Sequence, residues 1–127
     1  MKKKETLRGR GAYSSLYERG TRVDGQLLRC FFHMERGAGT PLRAGFSVSS
    51  RTYNAVKRNR IRRLMRAAFD AEGDALRERA REGRLSLLFV FKGRQGVPVE
   101  RLALKAVRVD MAMLLRDCAG RITGRAG

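Results

Sequence analysis

The chain has 127 residues, 43% of them hydrophobic, which is one ordinary domain with enough apolar side chains for a core and excludes a disordered chain. Its formal net charge is +17, and arginine supplies 23 of the 29 basic residues. Such a surplus repels itself in a compact fold, so it points to a polyanionic partner, and guanidinium forks suit phosphates in particular.

Residues 1–9 read as a basic flexible arm, since Lys2, Lys3 and Lys4 are followed by Glu5, Thr6 and Arg8 rather than by the apolar core of a signal peptide. In "AYSSLYERG" (12–20), Tyr13, Leu16 and Tyr17 fall at helical spacing and Gly20 is a stop signal, which predicts a short helix. "LLRCFFHM" (27–34) predicts a strand with Leu28, Cys30, Phe32 and Met34 facing the core. Its other face carries Leu27, Arg29, Phe31 and His33. The turn-rich "ERGAGTP" (35–41) predicts a hairpin to the next strand, "RAGFSVSS" (43–50). There Ala44, Phe46 and Val48 alternate with Gly45, Ser47 and Ser49. A face of such small side chains admits another molecule or is simply solvated, and the pattern alone favours the second.

Asn54 is placed to cap a helix running through Phe69 and toward residue 80, with Gly73 predicting a kink or break. "RLSLLFVF" (84–91) is nearly all apolar, as in a strand covered on both faces. Pro98 and Glu100 open a last helix with two apolar stripes. One holds Leu102, Ala106, Val109 and Met113, the other Leu104, Val107, Met111 and Leu114, and both are expected in the core. The end of the chain, 119–127, reads as a flexible tail. The order helix-strand-strand-helix-strand-helix, with no internal repeat, gives an α/β fold: a small mixed sheet with helices packed on it, forming one domain over 10–118.

The charge is uneven. Residues 1–69 carry a net +13, residues 70–127 a net +4, and nine basic residues with no acid lie between Glu35 and Asp70. They peak on the helix after Asn54. Ile61, Leu64, Met65, Ala68 and Phe69 fill one arc of it, whereas Arg58, Asn59, Arg62, Arg63 and Arg66 fill another, flanked by Arg60. Like charges four apart destabilise an isolated helix by a few tenths of a kcal/mol per pair. A helix needing only solubility would intersperse Glu. The missing carboxylates leave the face free for phosphates, although a merely solvated basic face remains the plain alternative.

Catalytic constellations are absent from the sequence: there are no paired carboxylates in the first half, no Ser/His/Asp set and no phosphate-binding glycine loop. Cys30, Cys118 and the lone His33 do not make a zinc set. They read as two reduced cytosolic thiols and a strand histidine. No apolar run approaches membrane-spanning length. The residues therefore describe a binding module, with a general RNA-binding protein and a protein-only nuclease as the rival readings.

At "GFSVSSRTYNAVKRNRIRRLMRAAF" (45–69) the sequence closely resembles the bacterial ribonuclease P protein component. Ser47-Val48-Ser49, Asn54-Ala55-Val56 and Arg58-Asn59-Arg60 match its hallmark runs, and the resemblance extends over nearly the whole chain. It implies a cytoplasmic protein subunit of an endoribonuclease whose RNA subunit hydrolyses precursor tRNA to the mature 5′ end. Mg2+ would be bound mainly by that RNA, with no catalytic group and no metal site in the protein. The implied partners are the ribonuclease P RNA subunit and the single-stranded 5′ leader of precursor tRNA. No membrane and no oligomer are required. For the RNA subunit, the match carries over to Asn54, Lys57, Arg58, Asn59, Arg60, Arg62, Arg63 and Arg66. For the leader, it carries over to Tyr13, Tyr17, Phe31, Ser47, Ser49 and Arg51. It also implies a left-handed crossover, against the general preference. Ser50-Arg51 stands where two lysines are common, the 70–84 segment is longer than usual, and "VFKGR" replaces a smaller strand end.

Overall fold

The computed structural model describes residues 5–35, 42–80, 83–93 and 97–126. In chain order the elements are α1 (Arg10–Arg19), β1 (Thr21–Asp24), β2 (Leu28–Glu35), β3 (Leu42–Ser47), α2 (Ala55–Glu72), α3 (Asp74–Arg79), β4 (Arg84–Phe91), a 3-10 turn (Val99–Arg101) and α4 (Leu104–Ala126). The four strands form one sheet in the order β1-β2-β4-β3. β2 is antiparallel to β1 and to β4, and β3 is parallel to β4.

The sheet separates two apolar clusters. On one face α2, α3 and α4 cover the main core, which includes Cys30, Phe32, Phe46, Leu87 and Phe89. Ile61, Met65, Ala68 and Phe69 of α2 are wholly buried there, each large one worth about 1.5–3 kcal/mol. The Phe46 and Phe69 rings both lie 5.7 Å from that of Phe89. On the other face α1 sets Leu16 against Leu88, with Ala12, Tyr13, Phe31 and Val90 around them. β4 is thus covered on both faces, as its near-continuous apolar run predicts.

Asn54 caps α2 as expected, its side chain accepting the Lys57 N–H at 2.9 Å. The break falls at Gly73, whose N–H closes α2 on the Phe69 carbonyl at 2.8 Å before α3 begins.

Several expectations need correction. β2 and β3 are not a hairpin: β4 lies between them and pairs with both. A strand buried on both faces belongs in the sheet interior, and α2 with α3 provides the long connection that a parallel β3–β4 pair requires. The hairpin partner of β2 is β1, whose four residues "TRVD" hold one buried side chain, Val23, too little for a periodic signal. The expected turn lies, apart from Glu35, outside the described residues, as do residues 1–4 of the arm. Beyond them the arm is docked: Leu7 is buried and its N–H donates to the Ala44 carbonyl at 2.9 Å along the edge of β3.

The last helix starts later than Pro98, behind the 3-10 turn, and continues to Ala126 instead of fraying from residue 119. Only part of its apolar surface is core. Val107, Met111, Leu114, Leu115 and Cys118 are buried, but Val109 is 66% and Met113 45% exposed. α2 and α4 lie side by side on one sheet face, so each has a single buried flank, and the stripe of α4 that holds Ala106, Val109 and Met113 turns outward.

Candidate nucleic-acid interface

α2 lies between β3 and α4, which sorts its basic residues into three groups. On the α4 side, Arg60 donates to the Leu102 carbonyl at 2.9 Å and weakly to that of Val99 at 3.5 Å. Lys57 pairs with Glu100 at 3.0 Å. Glu100 is held below the usual carboxylate range by its own backbone hydrogen bond and then by Lys57. On the β3 side, Arg58 turns back to the Tyr53 carbonyl at 2.8 Å, and Arg66 lies over the Phe46 ring with its guanidinium carbon 5.9 Å from the centroid. The outward sector holds Asn59 and Arg63, both exposed, with half-buried Arg62 beside them. Neither Arg62 nor Arg63 has a hydrogen-bond or ion-pair partner among the described residues, and Arg66 has only the ring. Thus Arg62, Arg63 and Arg66 form an open cationic strip, whereas Lys57, Arg58 and Arg60 are engaged within the fold.

The predicted leader residues gather on the opposite face of the sheet. Strand register places Gly45, Leu88, Phe31 and Arg22 in one row across the four strands, and Ser47, Val90, Arg29 and Asp24 in the next. α1 crosses the first row. A Cβ on Gly45 would sit 2.7 Å from the Tyr13 hydroxyl, so only glycine admits that ring so close to β3. Tyr17, at the other end, packs its ring 4.9 Å from that of Phe31 and is 48% exposed. The second row is therefore the floor of a groove beside α1, with tyrosines for a wall. Ser47 is half-buried in it, and Ser49 and Arg51 are exposed where β3 runs out toward α2. Ser49 accepts a long hydrogen bond from the Thr52 hydroxyl at 3.3 Å. A shallow hollow lined by Gly9, Arg10, Tyr13, Ser14 and Tyr17 lies along the same helix.

At the far end of the groove is a cluster that sequence reasoning did not single out. Asp24 accepts from Arg29 at 2.7 Å and Arg22 at 2.9 Å, with Lys92 at 3.5 Å. Arg29 first, then Arg22, hold its carboxyl well below the ordinary carboxylate range. Three cations around one carboxylate leave a net positive end to the row. No spacing links residues 22, 29 and 92 in the sequence. Strand pairing alone brings them together. His33, on the same face, sits 3.3 Å from Glu35.

No group of three or more His, Cys, Asp or Glu side chains converges among the described residues. No helix among them is long and apolar enough to cross a membrane.

Fold and surface together define a class: a small α/β domain that presents cations and aromatic rings on two connected faces. Residues 1–118 match the Ribonuclease P family, and the chain belongs to that family. Among curated relatives, it is 38% identical over 69 residues to the "Ribonuclease P protein component" of Shouchella clausii, covering 54% of this chain and 56% of that one. It is 32% identical over 77 residues to the protein of the same name from Bacillus velezensis, covering 61% and 66%. The chain thus spans little more than half to about two thirds of those relatives. Among solved structures, the ribonuclease P protein of Thermotoga maritima superposes with a TM-score of 0.69 at 19% identity, covering 88% of this chain and 96% of that one. That of Staphylococcus aureus gives 0.64 at 18%, covering 90% and 94%. At these identities the superpositions speak for the fold.

Proposed function

We propose that the chain is the protein subunit of a ribonuclease P, acting in the cytoplasm in tRNA 5′ maturation. In this reading α2 binds the RNA subunit through Arg62, Arg63 and Arg66, with Asn59 beside them. Lys57, Arg58 and Arg60 act indirectly, by fixing the N-terminal turn of α2 against the loop before it and the 3-10 turn. The groove beside α1 takes the single-stranded leader of precursor tRNA. Tyr17 and Phe31 stack bases at roughly 1–3 kcal/mol per base, whatever the base, which suits leaders of variable sequence. Ser47, Ser49 and Arg51 lead the strand from the groove toward α2. Hydrolysis itself belongs to the RNA, which holds the Mg2+. The protein lowers the magnesium demand by supplying fixed cations.

The observation that carries this reading is the strip of α2 arginines that meet no hydrogen-bond or ion-pair partner among the described residues, in a chain of the Ribonuclease P family. The test is to mix the purified chain with a bacterial ribonuclease P RNA and a precursor tRNA at low magnesium. Stimulated 5′ cleavage is expected. Binding without stimulation would make it a general RNA-binding protein, and cleavage without the RNA subunit would make it a nuclease in its own right.

A further inference from the structure

The solvent side of α4 is used by neither RNA surface. Among the described residues six large hydrophobics are exposed, and four of them, Val97, Leu104, Val109 and Met113, lie on or against α4. Two adjoining hollows share Lys105 and Val109. One runs between α4, the 3-10 turn and the β1–β2 loop, over Leu27, Leu102 and Ala106. The other passes over Leu104 and Ala112. An aliphatic strip of this kind at helical spacing is the surface that an amphipathic helix fills with its own apolar anchors.

The rim decides which partner fits. Arg101 and Lys105 border the first hollow, and Lys105 and Arg108 the second. Arg101 and Lys105 have no partner among the described residues. The nearby carboxylates are spent: Glu72 pairs with Arg108 at 3.0 Å, and Asp110 is buried under three backbone N–H groups. A second copy of the chain would bring like charge, +17 against +17. A nucleic acid would satisfy the cations but set phosphates over aliphatic side chains, at a desolvation cost. We infer that the outer face of α4 is a docking site for an acidic protein segment that presents aliphatic anchors at helical spacing. Its carboxylates would meet Arg101 and Lys105 while its apolar side chains cover Val109 and Met113.

The probe is a synthetic peptide of about 18 residues, five helical turns, made of Leu and Glu with the leucines on one face. Its control has the same residues reordered so that no face forms. Binding to the full chain is followed by fluorescence anisotropy of the labelled peptide. The ordered peptide should bind in the micromolar range and at least tenfold tighter than the control. Val109→Ser with Met113→Ser should weaken it at least tenfold, while thermal unfolding and leader-dependent cleavage stay as in the unaltered chain. Arg101→Gln with Lys105→Gln should weaken it and flatten its salt dependence. Equal binding of both peptides, or binding of neither, overturns the proposal. So does a concentration-dependent dimer lost in the Val109/Met113 variant, which would make the occupant a second copy. Attachment to anionic lipid vesicles lost in the same variant would overturn it in favour of a membrane.

Discussion

Arg60 and Arg62 stand two positions apart in one arginine-rich run and meet different surroundings. The Arg60 guanidinium closes backbone carbonyls at the 3-10 turn, whereas Arg62 meets no hydrogen-bonding group among the described residues. Arg60→Ala should therefore cost about 1 kcal/mol of stability, a fall in Tm of roughly 3–5 °C. Arg62→Ala should leave Tm within about 1 °C and weaken RNA binding instead. Thermal unfolding and RNA titration of the two variants separate the effects, and identical behaviour would contradict the assignment. Asp24 carries a pH signature. Its folded pKa is depressed, so its contribution to stability is complete above the unfolded value of about 3.9 and is lost progressively as pH falls from there through the lower folded value. NMR titration should find Asp24 still ionised when ordinary carboxylates have protonated. Cys30 shows the opposite environment: burial, then the Cys118 thiol 3.9 Å away, pushes its pKa up. Both thiols are buried, so each should react with a thiol reagent far more slowly in the native chain than in denaturant. Rapid native labelling would contradict that burial.

At the scale of elements, Asp110 holds α4 to the sheet. Its carboxylate accepts the backbone N–H groups of Gln26, Leu27 and Leu28 at 2.7–3.0 Å, and it is 4% exposed. A Cβ on Gly25 would lie 2.6 Å from that carboxylate, so the loop needs glycine for close approach. Asp110→Ala leaves three backbone donors unmatched, two of them buried, and should cost roughly 2–4 kcal/mol, measured by urea unfolding. A loss under about 0.5 kcal/mol would show the loop held by other contacts. The signal was in the sequence: Asp110 sits three and four positions from Val107 and Leu114, on the core side of α4. Periodicity made α1, β2, α2 and β4 legible because each carries a full apolar face. It could not separate the two stripes of α4, since exposure there depends on which neighbour occupies the sheet. Nor could it order the strands, because β2 and β3 each satisfy a hairpin pattern as well as a pairing with β4. The α2 arginines were legible as a set, but which were open and which engaged depended on the 3-10 turn, far away in sequence.

At the scale of the molecule, charge and chain topology combine. The +13 of residues 1–69 is divided by the sheet: one part on α2, another along α1 and the groove, joined by the end of β3 at Ser49 and Arg51. On the proposed reading, one RNA surface on each face would let the RNA subunit and its substrate's leader be held together. Tyr17→Ala should accordingly weaken binding of leader-bearing precursor tRNA and spare leaderless tRNA, and equal losses would remove the leader assignment. If about seven phosphates are neutralised, the log–log salt slope of binding should be roughly −5. The most direct test of the account is that slope for ribonuclease P RNA, measured with the unaltered chain and with Arg62→Ala, Arg63→Ala and Arg66→Ala combined. The account predicts an unchanged fold, weaker binding and a slope shallower by about two, as three phosphate contacts are lost. The same affinity and the same slope would contradict it.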